Sequence, residues 1–309
     1  MALTNPELLE LDELATNLVE RAGKALLERF RSPLAIEYKN KQTRTDPVTE
    51  ADRAIEQLVL EELTRQVPDH GIVAEETGQI RQSTSPLTWV IDPLDGTTNY
   101  MNGLPIFSCS IGLLHEGIPV VGAIFLPWPS NKTMRILHAH TGGGTWDGET
   151  KVTVSQHQKA EPSEIVVLSG IGRNWYWKRN GIRSIPGERR SVGSIAYELA
   201  LVADGTYQYA LFSSPRSWDV AAGIVLIKEA RGQALQLNLP DSEWIPFEGF
   251  DTRNKATKSK QTDLQSWNRP ILVGNHHMVT GVTDYLQSSN NLVDTTINNL
   301  KRAFSSQKG

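Results

Sequence analysis

Apolar residues recur at Leu8, Leu11, Ala15, Leu18, Ala22 and Leu26, steps of three and four that predict one buried face of an N-terminal helix. A second helix is predicted to begin at Thr49, whose hydroxyl can cap it together with Asp52. It carries Ala54, Ile55, Leu58, Val59 and Leu63 inward and stops before Pro68. The pattern then turns to short apolar runs. Ile72–Ala74, Leu87–Ile91 (stopped by Pro93), Phe107–Leu114, Pro119–Leu126, Met134–His138 and Lys151–Ser155 are predicted strands, with turns at Glu116-Gly117 and Asp147-Gly148. Gly142-Gly144 lacks the Lys-Ser/Thr of a phosphate loop and reads as a hairpin connection.

The second half alternates. Strands are predicted at Ile165–Leu168, Tyr207–Phe212, Gln233–Leu237 and Ile271–Gly274, with helices at Gly193–Ala203 and Trp218–Arg231. Residues 249–266 read as a polar surface loop, and a short helix is expected around Leu292–Phe304. Alternating blocks of both types imply stacked α and β layers, an α/β fold.

Composition narrows the function. The 309 residues carry 31 Lys and Arg against 35 Asp and Glu, a net charge of −4, which disfavours a general binder of nucleic acid polymers. Apolar residues make up 39%, ordinary for a globular protein and contrary to disorder or a coiled coil. The single Cys109 is expected in the core; it cannot form an internal disulfide and suits a reducing cytoplasm. Glu7, Glu10, Asp12 and Glu13 stand where a secretory leader would be basic, and no apolar run is long enough to span a membrane. A cytoplasmic protein is expected. The seven His show no zinc spacing, and Glu56, Glu61 and Glu62 read as solvated helix surface.

Three acidic stretches carry candidate chemistry. Asp92-Pro93-Leu94-Asp95-Gly96-Thr97-Thr98 puts two carboxylates on a tight turn at the end of a buried strand, a pattern suited to a hard cation. Gly96 permits close backbone approach, and Thr97-Thr98 offers N–H groups to a phosphate. The plain alternative is an Asp/Gly turn capping a helix. Glu75-Glu76 follows another short strand, and Asp219 opens the small-residue helix Trp218-Asp219-Val220-Ala221-Ala222-Gly223; a solvated turn and a dipole-stabilising Asp are their plain readings.

In this order the three stretches resemble the inositol monophosphatase family of lithium-sensitive, Mg²⁺-dependent phosphatases, over about residues 8–275. Asp46–Asp52 and Arg190–Ser194 resemble further family segments. The resemblance implies a layered αβαβα sandwich of the inositol monophosphatase / fructose-1,6-bisphosphatase type. It would form one domain over 1–285, with most metal ligands before about residue 155, substrate walls after it, and a polar tail at 286–309. It implies two or three Mg²⁺ held by Glu75, Asp92, Asp95, Asp219 and the Leu94 carbonyl, and a homodimer. Asp52 and Thr97 would orient and deprotonate the attacking water, with Glu75 beside them at a further metal. Lys41 matches a family lysine on the phosphate side. The substrate would meet Asp95, Gly96, Thr97, Thr98, Gly193, Ser194, Ile195 and position 212.

That last position departs from the family. Phe212 stands where inositol phosphatases present a Glu, and a Phe accepts no hydrogen bond from a polyol. The expected substrate is a small phosphate monoester, inositol monophosphate or a related sugar or polyol phosphate; histidinol phosphate, fructose 1,6-bisphosphate and 3′-phosphoadenosine 5′-phosphate are the alternatives. The aromatic-basic run Gly172–Arg179 is either a platform for a base or an ordinary surface or dimer segment. A non-catalytic metal- or phosphate-binding regulator is the reading from another class.

Overall fold

Thr4 caps the first helix by accepting from the Glu7 N–H, while the Glu7 carboxylate accepts from the Thr4 N–H at 2.7 Å. In chain order this computed structural model contains α1 (Asn5–Arg29), β1 (Ile36–Asn40), β2 (Thr45–Thr49), α2 (Glu50–Gln66), β3 (Gly71–Ala74), β4 (Gly78–Arg81) and β5 (Leu87–Asp95). There follow α3 (Thr97–Met101), β6 (Ser108–His115), β7 (Ile118–Leu126), β8 (Arg135–His140), β9 (Gly144–Asp147), β10 (Thr150–Val152), β11 (Ile165–Ser169), β12 (Trp175–Trp177) and β13 (Glu188–Arg190). The chain ends with α4 (Ile195–Ala203), β14 (Tyr209–Phe212), α5 (Ser217–Glu229), β15 (Gln233–Asn238), β16 (Glu243–Pro246), β17 (Ile271–Gly274), α6 (His276–Thr283) and β18 (Leu286–Ser288). The structure describes residues 3–33, 35–40, 42, 45–128, 134–169, 175–177, 187–238, 243–250, 264–283 and 286–288, with backbone alone at 40, 45–46, 79–80, 175–177 and 286–288.

Five layers result. An eight-stranded sheet, ordered β10-β9-β8-β7-β6-β5-β3-β4, carries α1 and α2 on one face and α4 and α5 on the other. Those two inner helices also pack on a six-stranded sheet, ordered β13-β11-β14-β17-β15-β16, whose far face is covered by α6. This is the αβαβα sandwich expected. Apolar side chains from both sheets and from α4 and α5 form the central core, and α1 and α2 close a second one. On that outer side the buried Asp12 of α1 meets Nδ1 of both His138 and His140 at 3.0 Å, which pins the helix to β8.

The inner helix α5 sits close to the sheet because two glycines face it. Gly112 of β6 and Gly122 of β7 are cross-strand partners, and a Cβ at Gly122 would lie 2.5 Å from the Ala222 carbonyl oxygen. The small run Ala221-Ala222-Gly223 completes that contact and thereby sets the depth of Asp219. Gly122→Ala is expected to cost about 1–3 kcal/mol by overpacking. A thermal melt checks it, and an unchanged melting temperature would remove this account of how α5 is placed.

Several expectations are corrected by the structure. The strand Leu87–Ile91 does not stop at Pro93 but runs to Asp95, because its register with β6 is interrupted between Asp92 and Asp95, where the proline owes no ladder hydrogen bond. The strand Lys151–Ser155 shrinks to Thr150–Val152, pairing only as far as the short β9 allows. Leu264 and Trp267 are buried instead of lying in or beside a polar loop, since Phe247, Phe250 and Trp267 pack edge to face. Residues 251–263 and the helix expected at Leu292–Phe304 lie outside the described residues. The head of the polar tail, β18, pairs antiparallel with Trp175–Trp177, so that aromatic run is part of a two-stranded ribbon. The hairpin β1-β2, strands β4, β13 and β16, and helix α6 had no clear periodic signal. Cys109 is buried, and no helix among the described residues is long and apolar enough to cross a membrane.

Candidate active site

The capping box that starts α2 also builds half of the site. Asp52 is fully buried, and its Oδ2 accepts from the Thr49 N–H at 2.8 Å and the Thr49 hydroxyl at 2.6 Å. Its other oxygen, Oδ1, accepts from the Thr97 hydroxyl at 3.1 Å, across forty-five residues of sequence. Burial raises the Asp52 carboxyl to about 6, with the Thr49 hydrogen bonds opposing the rise. The Thr97 hydroxyl also lies 3.0 Å from the Leu94 carbonyl oxygen. One hydroxyl proton therefore has two acceptors.

Asp92 and Asp95 leave the end of β5 within this turn. Asp92 is buried, and its Oδ1 accepts from the Leu94 N–H at 3.2 Å. Asp95 points across to the second half of the chain, where its Oδ2 accepts from the Ser194 hydroxyl at 2.8 Å and the Ala196 N–H at 2.6 Å, with the Ser108 hydroxyl at 3.4 Å. Gly96 then takes φ +89°, a left-handed conformation that favours glycine, and a Cβ there would crowd the Ile106 carbonyl and Ser194. Asn99 completes the join, with its side-chain N–H₂ donating to the Ile106 and Val192 carbonyls at 2.7 and 2.6 Å.

Asp219 stands at the first turn of α5, and its Oδ2 accepts from the Arg216 N–H at 2.7 Å. Glu75, half-buried just past the end of β3, pairs with Lys39 at 3.0 Å, and its charge acts on Asp92. Lys39 also meets Glu76 at 3.0 Å, and the two glutamates raise its pKa against the effect of burial. Burial holds the Asp92 carboxyl well above the ordinary range, reinforced by the charges of Glu75, Asp95 and Asp219. Burial and Asp95 do the same to Asp219, and burial lifts Asp95 to about 6 and raises Glu75. Four carboxylates thus share one field and disfavour one another's charge.

Hard oxygen donors that repel one another fit a divalent cation of the Mg²⁺ type, which would relieve the repulsion that burial creates. Among the described residues no three His, Cys, Asp or Glu side chains already close into a cation cage. Each of these carboxylates has a protein partner: Asp95 leans on Ser194 and Ala196, Asp219 on Arg216, and Glu75 on Lys39. A cleft of about 470 Å³ opens beside Glu75 and Glu76, walled also by Lys39, Arg216, Trp218 and Gln265.

The residues expected to meet substrate divide. Thr98 and Gly193 are exposed and Ile195 is half-buried, all near the turn. Ser194 is buried and spends its hydroxyl on Asp95, so it positions a carboxylate. Phe212 is 1% exposed and belongs to the central core, because β14 is buried throughout and turns it inward. Lys41 lies outside the described residues. Sequence reasoning passed over Lys39, Ser108 and Asn99, which no local pattern marks. Glu56 is corrected: it is 2% exposed instead of solvated, since it faces the Glu75–Thr77 turn.

Comparison with known proteins shows the family. The model of the inositol monophosphatase family matches residues 7–264. An inositol-1-monophosphatase of Synechocystis sp. is 35% identical over 226 residues, covering 71% of this chain and 76% of that protein. A fructose-1,6-bisphosphatase/inositol-1-monophosphatase of Aquifex aeolicus is 31% identical over 225 residues, covering 71% and 83%. Among solved structures, an inositol monophosphatase from Anabaena superposes with a TM-score of 0.65 at 26% identity, covering 90% of this chain and 97% of the other.

Proposed function

The chain belongs to the inositol monophosphatase family of phosphatases, and from that premise we propose that it is a Mg²⁺-dependent phosphomonoesterase acting on a small substrate, inositol monophosphate or a related sugar or polyol phosphate. The observation that carries this reading is the Thr97–Asp52 hydrogen bond beside the wall of four carboxylates. Glu75, Asp92, Asp95, Asp219 and the Leu94 carbonyl would hold the metal. Bound there, Mg²⁺ supplies charge neutralisation for the phosphoryl oxygens and a lower pKa for coordinated water.

The protein's own groups account for the proton. Thr97 takes a proton from the attacking water and passes its own hydroxyl proton to Asp52 as the new oxygen–phosphorus bond forms; the phosphorus–oxygen bond of the ester breaks, and the leaving oxygen takes a proton from solvent. With the proton directed at Asp52, the Thr97 oxygen would keep a lone pair for the attacking water. The amides of Gly96 and Thr97 would cradle the phosphate at a turn whose backbone the left-handed Gly96 brings close. No Cys, Ser or His nucleophile is required, so no phosphoenzyme forms.

The leaving group is read by the second half of the chain. Phe212 lies in the core and presents no acceptor to a polyol hydroxyl, so fructose 1,6-bisphosphate, histidinol phosphate and 3′-phosphoadenosine 5′-phosphate stand as the alternative substrates. Phosphate release with Mg²⁺ from these three and inositol 1-phosphate at matched concentration tests the proposal. Preference for inositol 1-phosphate supports the polyol reading, and preference for another member moves the assignment to it. No release from any, with Mg²⁺ bound, overturns the enzyme and favours a binding protein on this scaffold.

A further inference from the structure

Asp52 and Glu56 are one helical turn apart, so both project from the same face of α2 toward the site. Asp52 serves Thr97. Glu56 serves the turn that carries Glu75: its Oε2 accepts from the Glu76 N–H at 2.9 Å, and its Oε1 from the Thr77 N–H at 3.1 Å and the Thr77 hydroxyl at 2.7 Å. The Glu75 N–H donates to the Ile91 carbonyl of β5 at 3.2 Å. Three successive amides, 75 to 77, are therefore tied to two different elements. The turn has no regular ladder of its own at these residues, and without Glu56 two N–H donors beside a half-buried carboxylate would lose their acceptors.

We propose that Glu56 is a positioning residue for the metal centre: its carboxylate holds the 75–77 turn and so fixes where Glu75 stands relative to β5. The inference rests on the reading of Glu75 as a metal ligand. One face of α2 then sets both the proton acceptor and the distance between Glu75 and the β5 carboxylates. Groups that orient a metal ligand through hydrogen bonds act on metal affinity more than on the chemistry itself.

The test compares Glu56→Gln with wild type and with Glu61→Gln, an exposed glutamate on the same helix. Gln keeps the shape but turns an N–H₂ toward donors. Mn²⁺ affinity, read by electron paramagnetic resonance, is expected to fall about tenfold or more in Glu56→Gln and to stay unchanged in Glu61→Gln. The Mg²⁺ concentration for half-maximal phosphate release should rise in parallel, with kcat recovered at saturating Mg²⁺. Amide hydrogen exchange at 76 and 77 should quicken. Thr77→Val removes a single bond to Glu56 and gives a smaller change of the same sign, which keeps the test decisive if Glu56→Gln does not fold. A folded Glu56→Gln with wild-type Mn²⁺ affinity and unchanged exchange at 76 and 77 overturns the inference. A wild-type chain that binds no Mn²⁺ sinks the phosphatase reading instead, and the exchange data then judge Glu56 alone.

Discussion

Asp92→Asn is expected to abolish turnover, by about 10³-fold or more, and to remove tight Mg²⁺ binding, because several kcal/mol of charge stabilisation depend on that carboxylate. The Asn side chain retains an oxygen for the Leu94 N–H, so the turn itself survives. The same substitution should raise the melting temperature of the metal-free chain. Asp92 is buried among Glu75, Asp95 and Asp219, and each of these charges works against its ionisation. In the metal-free fold these carboxyls hold protons that the unfolded chain releases. Stability therefore falls as pH rises from the ordinary carboxylate range through about 6, where Asp52 and Asp95 titrate, and beyond it toward Asp92 and Asp219. Adding Mg²⁺ should reverse that loss in wild type and do little in Asp92→Asn. Calorimetry with and without Mg²⁺ from pH 4 to pH 8 reads both effects, and Mg²⁺-dependent activity within tenfold of wild type would end the assignment of Asp92.

Asp52→Asn should separate proton transfer from metal binding. Asp52 accepts from Thr97 and Thr49 and lies outside the set that would hold the cation, so Mg²⁺ affinity should change little while kcat falls about 10²–10⁴-fold. The acid side of the pH–rate profile carries a second signature. Only ionised Asp52 can accept the proton; burial places its pKa at about 6, and Mg²⁺ bound at the neighbouring carboxylates would lower it. Wild-type kcat should decline at or below that pH, and the decline should vanish from the residual activity of Asp52→Asn. A variant with wild-type kcat, or one that retains the acid limb, would show that Asp52 only caps α2. The two variants thus divide the site: one loses the metal, the other keeps it and loses the base.

Much of this was legible because the relevant physics is local. Thr49 and Asp52 are three residues apart and cap the same helix, so spacing alone places the buried carboxylate at a helix start. Asp92, Asp95 and the left-handed Gly96 occupy one turn, and the small-residue run after Asp219 announces a tightly packed helix. Their order along the chain was enough to identify the family. What stayed hidden depends on contacts between segments distant in sequence. Glu56 looks like any charged helix residue until β3 brings the 75–77 turn onto it. Ser194 looks like part of a substrate loop until α4 is docked with its first turn facing Asp95. Phe212 holds a family substrate position by spacing, yet a wholly buried β14 commits it to the core. Sequence by itself determined which carboxylates are the candidates for the site, because helix caps and strand-end turns are set by neighbours along the chain. Tertiary structure alone decided which side chains orient those carboxylates, because a hydrogen bond across forty or a hundred residues exists only after the layers have packed.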